Sequence, residues 1–245
     1  MSDLRHRHDL MQTLINHIDD REGTKLFFYC DDRSPRGFVT IGLGELVDKS
    51  GASKATARGV ADKWYEDRKG WLQFRHKNTH ALANKAQVLD DWGRVFDHGL
   101  THVGAPADTY APVAHYRITQ PHAERLLSDK LGRFIQKLYE KRPFVQQLDP
   151  LIHMALVDAR YNNARVALYD MHNDPHDHFH PDIPVMWRLM NPGSPDYNLQ
   201  EALLVFERIW AHRAGARYQE RHRTRVHWFH SGVIRMLGPA GPVTP

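Results

Sequence analysis

Apolar residues recur at every third or fourth position near the start of the chain. Over residues 8–20 this spacing places one apolar face along a helix. The members of that face are Leu10, Met11, Leu14, Ile15 and Ile18. Glu22 and Gly23 follow, and a glycine just past a periodic segment is typical of a helix end. The pattern therefore predicts an amphipathic helix with Glu22 at its carboxyl end.

Two short apolar runs follow this helix. Residues 26–31 and 38–41 are rich in aromatic and β-branched side chains, and the turn-forming sequence Asp-Arg-Ser-Pro-Arg-Gly separates them. They predict a β-hairpin, to which a third strand can be added. Residues 53–67 predict a helix with Ser53 as its N-cap, and residues 84–96 predict another.

The second half of the chain is predicted to be mainly helical. Helices are expected to begin at Thr119 and Asp149, and the second is apolar almost all round, which indicates a buried position. Residues 199–219 predict a long helix, and residues 221–234 a further helical segment. Residues 171–198 are rich in Pro, His, Asp and Asn and predict an inserted loop. These elements together predict an α+β fold with a small amino-terminal β lobe and a larger helical lobe.

The composition excludes several classes of protein. The chain has 245 residues, of which 41% are hydrophobic, so a mostly disordered chain is excluded. No apolar run approaches the roughly 20 residues that a membrane helix needs. Because Cys30 is the single cysteine, an internal disulfide framework is excluded, and we expect a buried thiol there. The first residues contain no apolar signal-peptide segment.

The charge balance is mildly basic. Lys and Arg number 33 and Asp and Glu 29, which gives a net charge of +4 with neutral histidine. This balance favours an anionic partner such as a cell wall, nucleic acid or acidic lipid, without choosing among them. One basic group near the end of the chain would either attract an anionic wall or form a solvated helix face. Its members are Arg213, Arg217, Arg221, Arg223 and Arg225.

The sequence with the clearest chemical content runs from Glu22 to Gly44. It reads Glu-Gly-x-x-Leu-x-x-Tyr-x-Asp and then Gly-x-x-Thr-Ile-Gly-x-Gly. A partly desolvated Glu22 could protonate a leaving oxygen, Asp31 could stay ionised, and Thr40 could hold a water. Glycoside hydrolysis needs an acid, a carboxylate and a controlled water. Gly42 and Gly44 would allow sharp turns and a close approach of a sugar to the backbone.

These motifs resemble those of the phage-type (T4-like) lysozymes, a family of muramidases. The resemblance makes Glu22 the general acid, Asp31 the second carboxylate and Thr40 the water-positioning threonine. Because the segment after Asp31 is longer than in shorter members of the family, Asp32 competes for the role of second carboxylate. Glu45 stands where the family usually has histidine, and a third acid there could raise the pKa of Glu22.

The resemblance implies a single lysozyme-like domain. Within residues 1–245, residues 22–50 would form the β lobe with the catalytic motif. Residues 51–117 would supply an interlobe helix and an enlarged region, and residues 118–245 a helical lobe that contains the insertion at 171–198. The match is dense over the β lobe, moderate over the start of the helical lobe and thin near the end.

The implied reaction is hydrolysis of the β-1,4 bond between N-acetylmuramic acid and N-acetylglucosamine in peptidoglycan, without a cofactor. The implied substrate contacts are Tyr29, Gly42 and Gly44, although packing of the hairpin is the alternative role for Tyr29. Three tryptophans are candidates either for stacking on sugars or for core packing. They are Trp64, Trp71 and Trp92.

Two biological settings fit such an enzyme: an antibacterial effector and a phage endolysin. Both would be made in the cytoplasm without a classical signal peptide and would act in the periplasm or cell wall of the target cell. We expect a monomer that binds peptidoglycan and neither nucleic acid nor, stably, a membrane. An effector would have an immunity protein as a further partner.

Two other functions are open on the sequence. His176, His178 and His180 alternate within residues 172–180, and imidazoles on one side of an extended strand suit zinc or nickel. A metal-dependent hydrolase is therefore one alternative, and a solvated loop is the other interpretation of these histidines. The second alternative is a non-catalytic wall-binding module, because a fold alone does not guarantee activity.

Overall fold

The structure is a computed structural model that describes residues 3–31, 38–48, 53–162, 182–211 and 216–238. The described residues are mostly α-helical and include a small three-stranded antiparallel sheet and a separate two-stranded ladder. The predicted α+β composition is therefore confirmed. The chain divides into two units, which we call the sheet unit (Glu22–Lys130) and the helical unit (Met1–Arg21 with Leu131–Pro245).

The first long helix, α1, spans His8–Glu22 after a short 3-10 helix at Leu4–His6. Four members of the predicted apolar face are buried, and Leu10 is half-buried. The helix ends at Gly23, whose φ of +72° lies in the left-handed region that glycine adopts without strain. The predicted helix is confirmed, and Glu22 is its last residue.

The sheet consists of β1 (Lys25–Cys30), β2 (Val39–Gly42) and β3 (Glu45–Leu46) in that order. Tyr29 lies opposite Thr40 in the antiparallel β1–β2 pair, and a register shift separates this part from the Lys25–Gly42 end. The hairpin and its third strand are therefore confirmed. Cys30, only 2% exposed, packs into the core of this unit as the expected buried thiol.

The rest of the sheet unit is helical apart from the ladder of β4 (Arg75–His76) and β5 (Tyr116–Arg117). Helix α2 spans Lys54–Glu66 and begins at the predicted N-cap Ser53, whose Oγ accepts from the Thr56 amide at 3.3 Å. Helix α3 spans Lys85–Thr101 and begins with a capping box. The buried faces of both helices join the core that lies under the sheet.

The helical unit is built around α5 (Pro150–Asn162). Most of α5 is buried, as its all-round apolar sequence predicted. Helix α8 (Ala216–Leu237) packs against it at Gly232, where a Cβ would lie 2.6 Å from Ile152 Cγ1. Only a glycine permits this close approach of the two helices.

Two further helices complete the described part of this unit. They are α6 (Asp182–Met190) and α7 (Leu199–Ala211). The expectation of a loop over residues 171–198 is wrong for α6, whose apolar side chains pack against α7. Of the long helix expected over residues 199–219, the structure describes α7 as far as Ala211 and the start of α8 from Ala216, and residues 212–215 lie outside the described residues.

The division between the two units falls within helices. Residues 51–117, predicted to supply an interlobe helix and an enlarged region, belong to the sheet unit, and the predicted domain organisation stays a prediction. Helix α4 (Gln120–Lys141) has residues in both units, since one unit ends at Lys130 and the other resumes at Leu131, and α1 has its last residue, Glu22, in the sheet unit. Within the described residues, no helix combines the length and hydrophobicity that crossing a bilayer demands.

Candidate active site

Glu22 occupies the carboxyl end of α1, where the chain turns at Gly23. This acid was expected to be partly desolvated, but the residue is exposed. The physical reason is its place in the last turn of a helix, beyond the buried face that ends at Ile18. The carboxylate is therefore accessible from solvent.

Thr40 lies in the middle of the sheet, between Tyr29 on β1 and Leu46 on β3. The residue is 2% exposed, and its Oγ1 donates a hydrogen bond of 2.8 Å to the Phe38 carbonyl. Because the hydroxyl hydrogen is used in this bond, Oγ1 can act on a further group only as an acceptor. An oxygen of this kind can orient a water molecule by accepting one of its hydrogens.

Asp31 follows β1 directly and closes the end of the hairpin. Its backbone amide donates to the Phe38 carbonyl at 3.0 Å, and its Oδ1 accepts from the Phe38 amide at 2.7 Å. This backbone donor fixes the orientation of the carboxylate. Asp32, the competing candidate for second carboxylate, lies outside the described residues.

Tyr29 connects the two carboxylates electrostatically. Burial raises the pKa of the Tyr29 phenol well above its ordinary value, and the negative charges of Asp31 and Glu22 raise it further. The Gly44 amide donates to the phenol oxygen and opposes this shift. Since both charges act on one hydroxyl, Glu22 at the end of α1 and Asp31 just after β1 lie in the surroundings of the same phenol.

Gly42 and Gly44 shape the turn between β2 and β3. Their φ angles are +63° and +77°, in the region that favours glycine, which confirms their predicted role in turning. A Cβ on Gly42 would lie 3.5 Å from Ala123 Cβ, so this glycine also packs closely on α4. Lys130 Nζ donates to the Gly44 carbonyl at 2.6 Å. Gly44 is thus held by hydrogen bonds at both its amide and its carbonyl. The predicted contact of Gly44 with substrate stays a prediction.

The motif suggested Glu45 as a third acid near Glu22, and the structure pairs its carboxylate with an arginine. It lies on β3, is 6% exposed, and its Oε1 accepts from Arg68 Nη2 at 2.8 Å. The Arg68 guanidinium also lies 4.9 Å from the Trp64 ring centroid and donates to the Trp64 carbonyl. Because Arg68 neutralises it, Glu45 is a structural ion-pair partner within the sheet unit and not an additional repulsive charge.

The three tryptophans named above have different environments. Trp64 and Trp92 are 7% and 0% exposed and belong to the core of the sheet unit, which favours packing over sugar binding. Trp71 is half-buried, and the Arg125 guanidinium lies 4.2 Å from its ring centroid. Of the three, only Trp71 keeps a partly accessible ring.

The basic group near the end of the chain is divided by the fold. Arg221 and Arg225, each 3% exposed, are buried against Asp158, whereas Arg223 is exposed. The interpretation of this group as one solvated or wall-attracting face is therefore wrong for the two buried arginines. Arg213 lies outside the described residues, as does the side chain of Arg217.

Metal ligation at His176, His178 and His180 stays a prediction, because these histidines lie outside the described residues. In the part of the chain that the structure describes, no cluster of three or more His, Cys, Asp or Glu side chains could hold a metal ion. The described candidate site therefore consists of Glu22, Tyr29, Asp31, Thr40 and the glycine turn.

Sequence reasoning missed two side chains at this site, Arg68 and Lys130. Both bind β3 or the turn before it from distant parts of the chain. A lone basic residue on a helix or just after one carries no local pattern that points to a sheet, so no sequence feature could have found them.

Comparisons with known proteins add no family to this description. No protein-family model matches the sequence. No curated protein matches it either.

Proposed function

We propose that this chain is a glycoside hydrolase with a lysozyme-like fold that hydrolyses peptidoglycan. The bond cleaved would be the β-1,4 linkage between N-acetylmuramic acid and N-acetylglucosamine. The observation that carries the proposal is the pair of carboxylates, Glu22 and Asp31, whose charges both act on the Tyr29 phenol. The resemblance of the surrounding motif to phage-type lysozymes supports it.

The three polar groups divide the chemistry among them. Glu22, accessible at the end of α1, protonates the oxygen of the leaving sugar. Asp31, oriented by the Phe38 amide, remains ionised and faces the positive charge that develops on the sugar ring. Thr40, whose hydrogen is donated to the Phe38 carbonyl, accepts from the water that attacks.

The same proposal covers the partner and the biological setting. Peptidoglycan is the proposed substrate, and the mildly basic chain suits a polymer that carries carboxylates. The chain would act on the wall of a target cell, as an antibacterial effector or as an endolysin. If it is an effector, an immunity protein would bind it in the producing cell.

The experiment compares purified wild-type protein with Glu22→Gln and with a matched control, Glu140→Gln. Glu140 is an exposed glutamate on α4 whose carboxylate accepts from Gln136. Release of reducing ends from purified peptidoglycan is measured for each protein with and without EDTA. We expect Glu22→Gln to lose at least about 100-fold in rate, as removal of a general acid does, while Glu140→Gln stays close to wild type.

The EDTA arm separates the proposal from the alternative. Activity that is lost in Glu22→Gln and indifferent to EDTA supports the muramidase. Activity that survives Glu22→Gln but disappears with EDTA would contradict it and favour a metal-dependent hydrolase. Binding to peptidoglycan without any cleavage by the wild type would favour a wall-binding module.

A further inference from the structure

The ladder formed by β4 and β5 in the sheet unit carries a row of basic side chains. Arg75 on β4 lies directly opposite Arg117 on β5. Two residues further along, the Lys77 amide donates to the His115 carbonyl at 2.8 Å, which continues the same register. Because alternate residues of a strand share a face, these four residues lie on one face of the ladder. We call Arg75, Lys77, His115 and Arg117 the basic face.

The opposite face of the ladder is turned toward the core. Tyr116 on that face is 9% exposed and belongs to the core of the sheet unit. On the basic face, Arg75, His115 and Arg117 are exposed, and Lys77 is half-buried. The ladder therefore presents its positive charges to solvent.

The two arginines repel each other across the ladder, because like charges directly opposite each other are destabilising. Arg75 Nη1 donates to the His80 carbonyl at 3.1 Å. The Arg117 guanidinium lies 5.8 Å from the Phe27 ring centroid. Among the described residues, neither arginine forms an ion pair with a carboxylate, and each guanidinium has more donors than these contacts use. The ladder thus keeps an unfavourable pair of charges that a bound anion would relieve.

Asp91, whose carboxylate contacts the ladder, is enclosed by its own partners. It is 0% exposed, and its Oδ1 accepts from Arg94 Nη2 and from the His115 amide, both at 2.7 Å. Burial lowers the pKa of His115, and the positive charges of Arg94 and Lys77 lower it further against the opposing effect of Asp91. Positive charge therefore prevails at the basic face, although a carboxylate lies close to it.

The basic face belongs to the same unit as the candidate active site. The Ile118 amide, directly after β5, donates to the Leu26 carbonyl of β1 at 2.8 Å. Tyr29 lies on β1, and Asp31 follows that strand. A polymer bound at the basic face would therefore be held by a ladder that is hydrogen-bonded to a strand of the candidate site.

The chemistry of the basic face selects among anionic polymers. Guanidinium groups bind carboxylates and phosphates through paired hydrogen bonds. Proteins that bind single-stranded nucleic acids add aromatic rings on which bases stack, and the tyrosine of this ladder, Tyr116, is buried. Peptidoglycan carries spaced carboxylates on its stem peptides and needs no such rings. We propose that Arg75 and Arg117 bind these stem-peptide carboxylates, an inference that rests on the proposed function.

The test measures binding to insoluble peptidoglycan by cosedimentation, at fixed ionic strength, with full-length Glu22→Gln protein. This background prevents cleavage from consuming the polymer. Adding Arg75→Gln and Arg117→Gln together should weaken binding at least about tenfold, as the loss of a charge-assisted contact does. The matched control adds Arg58→Gln and Arg235→Gln, two exposed arginines outside the ladder whose replacement removes the same charge. The control should leave binding nearly unchanged.

Three results would overturn the inference. They are equal binding by the ladder variant and the control, undiminished binding to peptidoglycan whose carboxylates have been amidated, and a ladder-dependent affinity for a single-stranded DNA oligonucleotide that exceeds the affinity for peptidoglycan. The amidated polymer needs no ladder variant, so it decides the matter if Arg75→Gln with Arg117→Gln does not fold. Because cleavage is not scored, an inactive wild type contradicts the muramidase and leaves the binding result valid. Absent binding by an active wild type contradicts the basic face alone.

Discussion

Two sets of carboxylates, one in each unit, lie in opposite environments. In the helical unit, Asp158 is 0% exposed and forms ion pairs with Arg221 and Arg225. Burial alone would raise the pKa of Asp158, but the charges of Arg225 and Arg221 outweigh it and lower the pKa. In the sheet unit, Glu22 is exposed at a helix end and Asp31 is oriented by a backbone amide. The first arrangement removes its carboxylate from water, whereas the second leaves Glu22 in contact with solvent.

His17 lies next to the buried cluster of Asp158, Arg221 and Arg225. Its Nε2 lies 3.8 Å from Asp158 Oδ2, and its ring packs edge-on against Trp228 at 4.9 Å between centroids. Burial, more than the neighbouring charges, lowers the pKa of His17. The charge of the cluster is therefore set by one aspartate and two arginines, a composition that suits stability and not proton transfer.

We expect Asp158→Asn to have the largest effect, a loss in the free energy of unfolding. The substitution removes the carboxylate charge that pairs with two buried arginines, and breaking a buried ion pair in this way costs about 3–5 kcal/mol. Urea unfolding of the variant measures the loss. Asp196→Asn is the control, because its exposed pair with Arg188 should contribute less than about 1 kcal/mol. Equal losses in the two variants would show that the buried cluster is not special.

The next effect is a pH dependence that comes from His153. This residue is fully buried on α5, and Tyr139 Oη and the Val145 carbonyl contact its ring nitrogens. Burial lowers its pKa from 6.5 to about 4. Between these values the unfolded chain binds a proton that the folded chain does not, so stability falls as the pH falls. The loss from this group amounts to about 3 kcal/mol.

Urea unfolding near neutral pH and near pH 4 checks this prediction. The wild type should lose about 3 kcal/mol more than His153→Gln over this range, because glutamine does not titrate. Other histidines titrate in both proteins and cancel in the difference. An equal pH dependence in the two proteins would contradict the buried neutral state of His153.

A smaller effect on stability is expected from breaking the Glu45–Arg68 pair. This pair is the buried ion pair of the sheet unit to compare with the Asp158 cluster. The two side chains are 7% and 16% exposed, so Arg68 retains some contact with water. We expect Glu45→Gln to cost about 1–3 kcal/mol of stability and to leave catalysis largely intact. A double-mutant cycle with Arg68→Met isolates the pair. A large loss of peptidoglycan cleavage in a folded Glu45→Gln variant would give this acid a chemical role instead.

The smallest expected effect concerns Gly23, directly after Glu22. A Cβ at this position meets nothing within 4 Å, so Gly23→Ala would act through the φ of +72° alone. We expect a loss of about 1 kcal/mol. Gly59→Ala is the matched control, since this exposed glycine lies inside α2 and alanine there should stabilise by about 0.5–1 kcal/mol. Thermal or urea unfolding that ranks the two substitutions the other way would contradict the left-handed helix end.

Local patterns predicted much of the fold. The three- and four-residue spacing over α1 and the all-round apolar sequence of α5 each specified a helix and its buried face. Helix α6 was missed because its proline- and histidine-rich surroundings obscured it. Its apolar residues do have helical spacing, and Ile183, Met186, Trp187 and Met190 are buried.

The sequence could not predict which charges are buried. Arg221 and Arg225 are four residues apart on α8, a spacing that fits a solvated face as well as a buried one. Their partner Asp158 lies more than 60 residues earlier, with a separation of 63 from Arg221. The partner of Glu45 is likewise 23 residues away. Pairing at such distances depends on tertiary packing, which no local pattern encodes.

The sequence named the residues of the candidate site without their environment, and the roles of these residues stay predictions. The motif named Glu22, Asp31 and Thr40, and the hairpin register places Thr40 directly opposite Tyr29. The exposure of Glu22 and the anchoring of Asp31 on Phe38 follow from where α1 and β1 end. Such ends are the least certain part of a pattern-based prediction.

The most direct test of the central claim is the identity of the products that the wild-type protein releases from purified peptidoglycan. The digest is reduced with borohydride, and the fragments are separated and identified by mass spectrometry. The muramidase proposed here predicts fragments that end in reduced N-acetylmuramic acid. Fragments that end in reduced N-acetylglucosamine, fragments with anhydro-muramic ends, or no fragments at all would contradict it.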